Sequence, residues 1–184
     1  TQFNDKNDLG KYPKTPEKDN ILAEKLGVDY FLMPKYEGIY SDNYSFRIAS
    51  NTDYSKILEG AYRPNHFEGM LTIVLKLLLL ISPSKIYFGE KDFQQYKLVE
   101  KMCKGFLLDV SVVCCQTVRD QNGLPLSSRN TLLNPEELNK ASLFSKLLGS
   151  SLKPQDIRNQ LEQEGFVIDY VEEHDDRRFG AVRF

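Results

Sequence analysis

The segment Phe88–Gln95 reads Phe-Gly-Glu-Lys-Asp-Phe-Gln-Gln, with small and charged residues between an apolar run and an amphipathic one. In open α/β sheets, ligands bind where strands end. A glycine there lets the backbone approach a phosphate, and the helix that follows offers free N–H groups. Lys91 could supply the positive charge that phosphoryl chemistry needs. A surface turn in which Asp92 caps a helix explains the same pattern, and the segment alone leaves both interpretations open.

Two further segments carry candidate groups. Residues 126–130 read Leu-Ser-Ser-Arg-Asn after a glycine turn, so that two hydroxyls beside Arg129 could clamp a triphosphate. A polar turn capped by serine is the simpler interpretation of that segment. Arg63 and His66 precede a long apolar run, but a histidine near the start of a helix is more often structural than catalytic.

The apolar pattern predicts the elements that would position these groups. Phe67–Ile81 is apolar nearly all round and predicts a buried helix. A short strand at 85–88, an amphipathic helix at Asp92–Lys104 and a valine-rich strand at Leu108–Val118 follow it. Helix, strand, helix and strand at this spacing predict an α/β fold with a parallel sheet. Val28–Met33 predicts another short buried strand.

The pattern changes after residue 118. A turn is followed by two helical segments and by two strand-like segments on either side of Asp175 and Asp176. We therefore predict two domains: a parallel-sheet domain at 1–117 and a small C-terminal α+β domain at 118–184.

Composition excludes several classes of function. Apolar residues make up 41% and charged residues 27% of the 184, with a net charge of −2, which is typical of a globular protein. Since the sequence contains no basic stripe, we do not expect nucleic acid as a partner. Three cysteines, two of them adjacent, do not form a disulfide framework and favour a reducing compartment. The longest apolar run is too short to span a bilayer, so we predict a cytoplasmic protein without a membrane partner.

The candidate segments occur together in an order that resembles the pantothenate synthetase family. The motifs that carry the resemblance are Gln2-Phe3-Asn4, Tyr12-Pro13-Lys14-Thr15, Leu58-Glu59-Gly60, Arg63-Pro64-Asn65-His66-Phe67, Phe88–Gln95, Thr117-Val118-Arg119 and Gly123–Asn130. The resemblance runs from residue 1 to the end of the chain. It implies a Rossmann-like domain of the nucleotidyltransferase type, a small C-terminal lid domain and usually a homodimer.

The resemblance also implies an activity, the ATP-dependent condensation of pantoate with β-alanine to pantothenate. Pantoate would first attack MgATP to give pantoyl adenylate and pyrophosphate, and β-alanine would then displace AMP. Such catalysis depends on positioning and charge stabilisation more than on a protein nucleophile.

Roles follow from the resemblance, motif by motif. Pantoate would be held by Gln2 and Gln95. ATP would be bound by Gly89, Glu90, Lys91, Asp92, Val118, Leu126, Ser127, Ser128 and Arg129. The catalytic groups would be Lys91, Ser127, Ser128 and Arg129. Arg63 and His66 would lie near the site, and Mg²⁺ would arrive with ATP.

Some positions depart from the family pattern. The family carries a Met-Gly-x-x-His-x-Gly-His segment upstream of the point where this chain begins, so we expect the 184-residue chain alone not to make pantothenate at a useful rate. Lys18 stands where relatives often have an acidic residue near the metal, which leaves the Mg²⁺ ligand unassigned. Two alternatives stay open: a non-catalytic fragment that keeps the dimerising domain, and another nucleotidyltransferase. The pairing of Gln2 with Gln95 argues against the second.

Overall fold

The computed structural model describes residues 10–183. Its helices, numbered in chain order, are α1 Pro16–Lys25, α2 Tyr36–Ile39, α3 Glu59–Tyr62, α4 His66–Ile81, α5 Phe93–Gly105, α6 Pro135–Leu148 and α7 Pro154–Gln163. Its strands are β1 Lys85–Gly89, β2 Ser111–Cys115, β3 Val167–His174 and β4 Arg177–Arg183. Short 3-10 turns occupy Asp53–Lys56, Glu90–Asp92 and Ser128–Leu132.

The strands β1 and β2 pair in parallel, in a register that runs from Lys85 opposite Ser111 to Gly89 opposite Cys115. Both strands therefore end at the same edge, where the turn at 90–92 begins. The helices α4 and α5 pack together on this pair. Their shared core contains Phe67, Met70, Leu71, Leu78, Leu98, Val99, Met102 and Cys103.

The prediction of a wholly buried helix at Phe67–Ile81 is only partly right. The first turns of α4 are buried, but Leu79, Leu80 and Ile81 are 62, 62 and 54% exposed. Within residues 10–183, α5 packs against α4, while the last turn of α4 is open to solvent.

The predicted strand at Val28–Met33 is wrong for the structure as described. These residues are irregular, and Tyr30 and Met33 are 91 and 61% exposed. A strand needs a neighbour to accept and donate its backbone hydrogen bonds. None of the strands within residues 10–183 pairs with this segment, so its apolar pattern is not expressed as a strand.

The C-terminal unit is built as the sequence predicted. Asn134 and Glu137 form a capping box at the start of α6. The strands β3 and β4 form an antiparallel hairpin, and both turn residues, Asp175 and Asp176, have positive φ, as a tight turn of this kind requires. The core of this unit contains Ile157, Leu161, Phe166 and Val171.

The predicted fold class is confirmed: helices pack on a parallel strand pair, and a small antiparallel sheet with two helices follows. None of the helices within residues 10–183 is long and apolar enough to cross a membrane.

Candidate active site

The 3-10 turn Glu90–Asp92 joins the end of β1 to the start of α5 and carries the first candidate group. Asp92 occupies the N-cap position of α5, but its side chain makes no capping hydrogen bond with the described backbone. The capping interpretation of the motif is therefore not supported. Lys91 and Asp92 are 43 and 63% exposed, and their charged atoms are 3.8 Å apart. Such an exposed, loosely paired lysine can meet an anionic ligand without first breaking a strong ion pair.

Open space borders Gly89. A Cβ built on this residue would meet no described atom within 4 Å. Its φ of −69° is also accessible to any residue. Neither crowding nor backbone conformation among residues 10–183 therefore requires a glycine here. A requirement for glycine would come from a ligand that approaches the backbone closely.

Glu90, predicted to line the ATP site, directs its carboxylate to the C-terminal hairpin. Its Oε1 accepts a hydrogen bond of 2.6 Å from Nη2 of Arg177 in the C-terminal hairpin. The hydrogen bond from Arg177 is the main reason that the pKa of Glu90 lies below its usual value, and the backbone N–H of Thr117 adds to the effect. The Glu90 side chain thus ties this turn to the Thr117-Val118-Arg119 motif and to the hairpin.

The Ser127–Arg129 segment lies beside the Tyr12 motif. Oγ of Ser128 donates to the hydroxyl of Tyr12 at 3.1 Å, and the Arg129 guanidinium lies 5.0 Å from the centroid of the Tyr12 ring. The Ser127 hydroxyl accepts a hydrogen bond from the backbone N–H of Arg129 and so caps the 3-10 turn. Two motifs more than a hundred residues apart in sequence are therefore neighbours in space.

An open cavity of about 570 Å³ borders this segment. Its volume lies within the range of pockets that hold small ligands, roughly 300–1,000 Å³. The lining residues are Asp120, Leu126, Ser127, Ser128, Asn130, Thr131 and Leu138. Lys91 and Gln95 are not among them, so the cavity includes the serine pair but not the turn after β1.

Val118 and Leu126, both predicted at the ATP site, lie in adjacent backbone segments. The Leu126 N–H donates to the Val118 carbonyl at 2.9 Å, and the two side chains are 66 and 58% exposed. A backbone contact from Val118 to a nucleobase would therefore use its N–H or the second lone pair of its carbonyl. Arg119 fixes the turn between them through Gly123 O and Ser145 Oγ.

Arg63 and His66 belong to a cluster around Glu59. Nη1 of Arg63 donates to Glu59 Oε2 at 3.1 Å and lies 3.3 Å from Nε2 of His66, which is buried. The hydroxyl of Tyr170, on β3, donates to Glu59 Oε1 at 2.7 Å. The sequence alone does not mark Glu59 as the centre of this cluster, although the residue lies in the Leu58-Glu59-Gly60 motif. No sequence signal marks Tyr170.

Two adjacent glutamines on α5 have different surroundings. Gln94 is buried, donates to the carbonyls of Tyr54 and Ile57 at 2.7 and 2.9 Å, and accepts from the Glu59 N–H. Gln95, the predicted pantoate ligand, is half-buried. Gln2, its predicted partner, lies outside the described residues.

Within residues 10–183 there is no group of three or more histidine, cysteine, aspartate or glutamate side chains that could hold a metal ion.

Comparisons with known proteins agree on one family. The model of the pantoate–β-alanine ligase family matches residues 1–181. A pantothenate synthetase of Coxiella burnetii is 46% identical over 182 residues, which are 99% of this chain and 70% of that protein. One from Bdellovibrio bacteriovorus is 44% identical over 183 residues, 100% of this chain and 72% of the relative.

The chain belongs to the pantoate–β-alanine ligase family.

Solved structures of this ligase family have the same fold. A crystal structure of the pantoate–β-alanine ligase of Francisella tularensis, complexed with beta-gamma ATP and β-alanine, has a TM-score of 0.94 at 36% identity. The match covers 99% of this chain and 70% of the Francisella tularensis chain. A pantothenate synthetase structure from Thermus thermophilus matches with a TM-score of 0.85 at 33% identity. This match covers 98% of this chain and 70% of the Thermus thermophilus chain. The Rossmann-like fold and the family resemblance predicted from the motifs are confirmed.

Proposed function

We propose that this protein condenses pantoate with β-alanine to pantothenate at the expense of ATP, which leaves as AMP and pyrophosphate. The observation that carries the proposal is the exposed Lys91 at the end of β1, in a chain whose family includes a ligase crystallised with beta-gamma ATP and β-alanine. Its position on the turn between β1 and α5 gives the ammonium group a rigid base near the open space at Gly89.

The first step forms pantoyl adenylate. A carboxylate oxygen of pantoate attacks the α-phosphorus of ATP, and the bond to the bridging oxygen of the β-phosphate breaks. Negative charge then grows on the departing pyrophosphate. Lys91, Arg129 and the hydroxyls of Ser127 and Ser128 supply the cations and donors that stabilise this charge. Mg²⁺ bound to the phosphates of ATP would supply further positive charge.

The second step transfers the acyl group. The amine of β-alanine attacks the acyl carbon, the bond to the AMP oxygen breaks, and the nitrogen releases a proton. No protein nucleophile is needed, since the mixed anhydride is already activated. The protein contributes orientation, because two reactants held in place react as if at very high local concentration.

The remaining residues are assigned to binding. Gln95, with Gln2, holds pantoate through its amide, and Arg63 and His66 lie near the acid. The Gly89 backbone and Asp92 meet the ribose, while the main chain of Val118 meets adenine and that of Leu126 follows the triphosphate. The C-terminal domain at 118–184 carries the Ser127–Arg129 loop over ATP. We expect a homodimer, which sedimentation of the purified protein will test.

Exchange of labelled pyrophosphate into ATP tests the assignment of the acid. The product of the complete gene is expected to exchange label when pantoate is present, and β-alanine should be neither necessary nor sufficient. Exchange driven by another acid but not by pantoate would favour a different nucleotidyltransferase. If neither exchange nor tight binding of a sulfamoyl analogue of pantoyl adenylate is found, the non-catalytic alternative is correct.

A further inference from the structure

The C-terminal hairpin contacts two carboxylates of the first domain, and each carboxylate lies in a motif of the proposed site. The Tyr170 hydroxyl, on β3, donates to Glu59 at 2.7 Å across 111 positions of sequence. Arg177, the first residue of β4, donates to Glu90 at 2.6 Å across 87 positions. Hydrogen bonds to charged groups are stronger and more directional than neutral ones. The hairpin therefore specifies where these two carboxylates lie.

Because Glu59 also binds Arg63, fixing the Glu59 carboxylate fixes the position of the Arg63 guanidinium. One carboxylate oxygen accepts from Tyr170, and the other accepts from the Arg63 guanidinium at 3.1 Å. Tyr170 is itself held in place, since it is only 4% exposed and its ring lies 5.5 Å from that of Tyr62. Burial and the nearby Glu59 raise the pKa of Tyr170, so its hydroxyl remains a donor at neutral pH.

Because Glu90 belongs to the turn that carries Lys91, its bond to Arg177 also restrains that turn. The Arg177 guanidinium bonds to Glu90 and also lies 4.1 Å from the centroid of the Phe93 ring, on the first turn of α5. Phe179, on β4, lies 6.1 Å from the same ring. The hairpin thus contacts Glu90, immediately before Lys91, and Phe93, two positions after it.

We propose that Tyr170 and Arg177 are positioning residues of the ligase site. Tyr170 orients Arg63 through Glu59, and Arg177 orients the turn of Lys91 through Glu90. This inference rests on the proposed function, because it assumes that Arg63 and Lys91 meet the substrates. Under this proposal the two contacts orient particular side chains of the site. If they only held the hairpin against the rest of the protein, any other contacts of equal strength could replace them.

The first test is local hydrogen exchange in the product of the complete gene. Tyr170→Phe should speed exchange of amides in 59–66, and Arg177→Gln should do so in 89–95. In each case a change of about fivefold is expected, equivalent to one ordinary hydrogen bond. Arg183→Gln is the matched control, since Arg183 lies on the same hairpin but pairs with Asp169 within it. Unchanged exchange in both test variants, or an equal change in the control, overturns the proposal.

The second test separates positioning from stability. Arg177→Gln should lower kcat for pantothenate formation about tenfold with KM within about twofold, because it displaces the catalytic Lys91, and Arg177→Lys should recover most of kcat. Tyr170→Phe should instead raise the pantoate KM about fivefold, because Arg63 is assigned to binding of the acid. If exchange rises while kcat and KM both stay normal, the positioning role is wrong. A wild-type protein without ligase activity would instead overturn the proposed function, and the exchange result would still decide whether the hairpin orders the two motifs.

Discussion

The two segments proposed to bind ATP differ in what holds them in place. The turn Glu90–Asp92 continues directly from β1 into α5, and α5 buries Leu98 and Val99 in the main core. The segment Ser127–Arg129 begins a 3-10 turn that is held by local hydrogen bonds and by contacts with Tyr12. A group on the first segment is preorganised by the core, whereas a group on the second depends on a few weak polar contacts.

This difference predicts where catalysis is most sensitive. Electrostatic stabilisation is strongest when donors are already in place as charge develops. A cation on a rigid turn should therefore act mainly on kcat. Side chains on the less supported loop should contribute less each, because part of their binding energy is used to order the loop.

Lys91→Ala is expected to have the largest effect. Loss of a preorganised cation near the leaving pyrophosphate should lower kcat about 10²–10³-fold, or about 3–4 kcal/mol. The pantoate KM should rise much less. Steady-state kinetics will measure both, with Lys104→Ala as the control, since Lys104 lies at the far end of α5, the helix that follows Lys91, and is 77% exposed. A folded Lys91→Ala protein with near-normal kcat would show that the turn has a purely structural role.

Gln94→Ala should have the next largest effect, and on stability. The substitution leaves two partly buried carbonyls and one N–H without their partner, which should cost about 2–3 kcal/mol of unfolding free energy. Urea denaturation will measure it. An unchanged denaturation midpoint would show that the segment 54–59 does not depend on Gln94.

Gln95→Ala, one position along α5, should instead act on substrate binding. The pantoate KM should rise about tenfold, the loss expected for one or two hydrogen bonds to a charged ligand. The melting temperature should barely change. Should Gln95→Ala destabilise the protein as much as Gln94→Ala, the division of roles between the two glutamines would be wrong.

Tyr12→Phe tests the support of the Ser127–Arg129 loop. It removes the hydroxyl that Ser128 contacts and keeps the ring under Arg129. The expected loss is about 0.5–1 kcal/mol in kcat/KM. A loss as large as that of Lys91→Ala would show that the loop is as firmly preorganised as the turn after β1.

The Glu90–Arg177 ion pair predicts a small effect of pH on stability. Arg177 lowers the pKa of Glu90 in the folded protein. The stabilisation from Glu90 is therefore fully present above its usual pKa in unfolded chains and is lost as pH falls through the lowered folded value. Glu90→Gln should be less stable than wild type at pH 7, and the two should converge as pH falls through the lowered folded pKa of Glu90. A difference that grows on acidification would contradict this sign.

Much of the fold could be predicted from local pattern. The helix at Phe67–Ile81 and the hairpin around Asp175 and Asp176 follow from apolar spacing and turn residues, which act over short distances. The segment Val28–Met33 shows the limit of this method. Its apolar residues are typical of a strand, but a strand forms only beside a partner, and partners are set by the whole fold.

In the candidate site, too, some features could be predicted from local sequence and others could not. Lys91 and Ser128 could be predicted because each lies in a contiguous motif. The bond between Tyr170 and Glu59 could not, because an isolated tyrosine on a strand carries no signal and its partner is 111 residues away. Interactions between distant positions depend on how segments far apart in sequence pack together, which a single sequence does not encode locally.

The fate of the carboxylate oxygens of pantoate tests the central claim most directly. Pantoate labelled with ¹⁸O in its carboxylate is supplied with ATP and β-alanine to the product of the complete gene, and the products are analysed by mass spectrometry. An adenylate route predicts one ¹⁸O atom in each AMP and none in pyrophosphate, because the attacking oxygen stays on the α-phosphorus. Label in inorganic phosphate with release of ADP, or no formation of AMP at all, would contradict the proposed function.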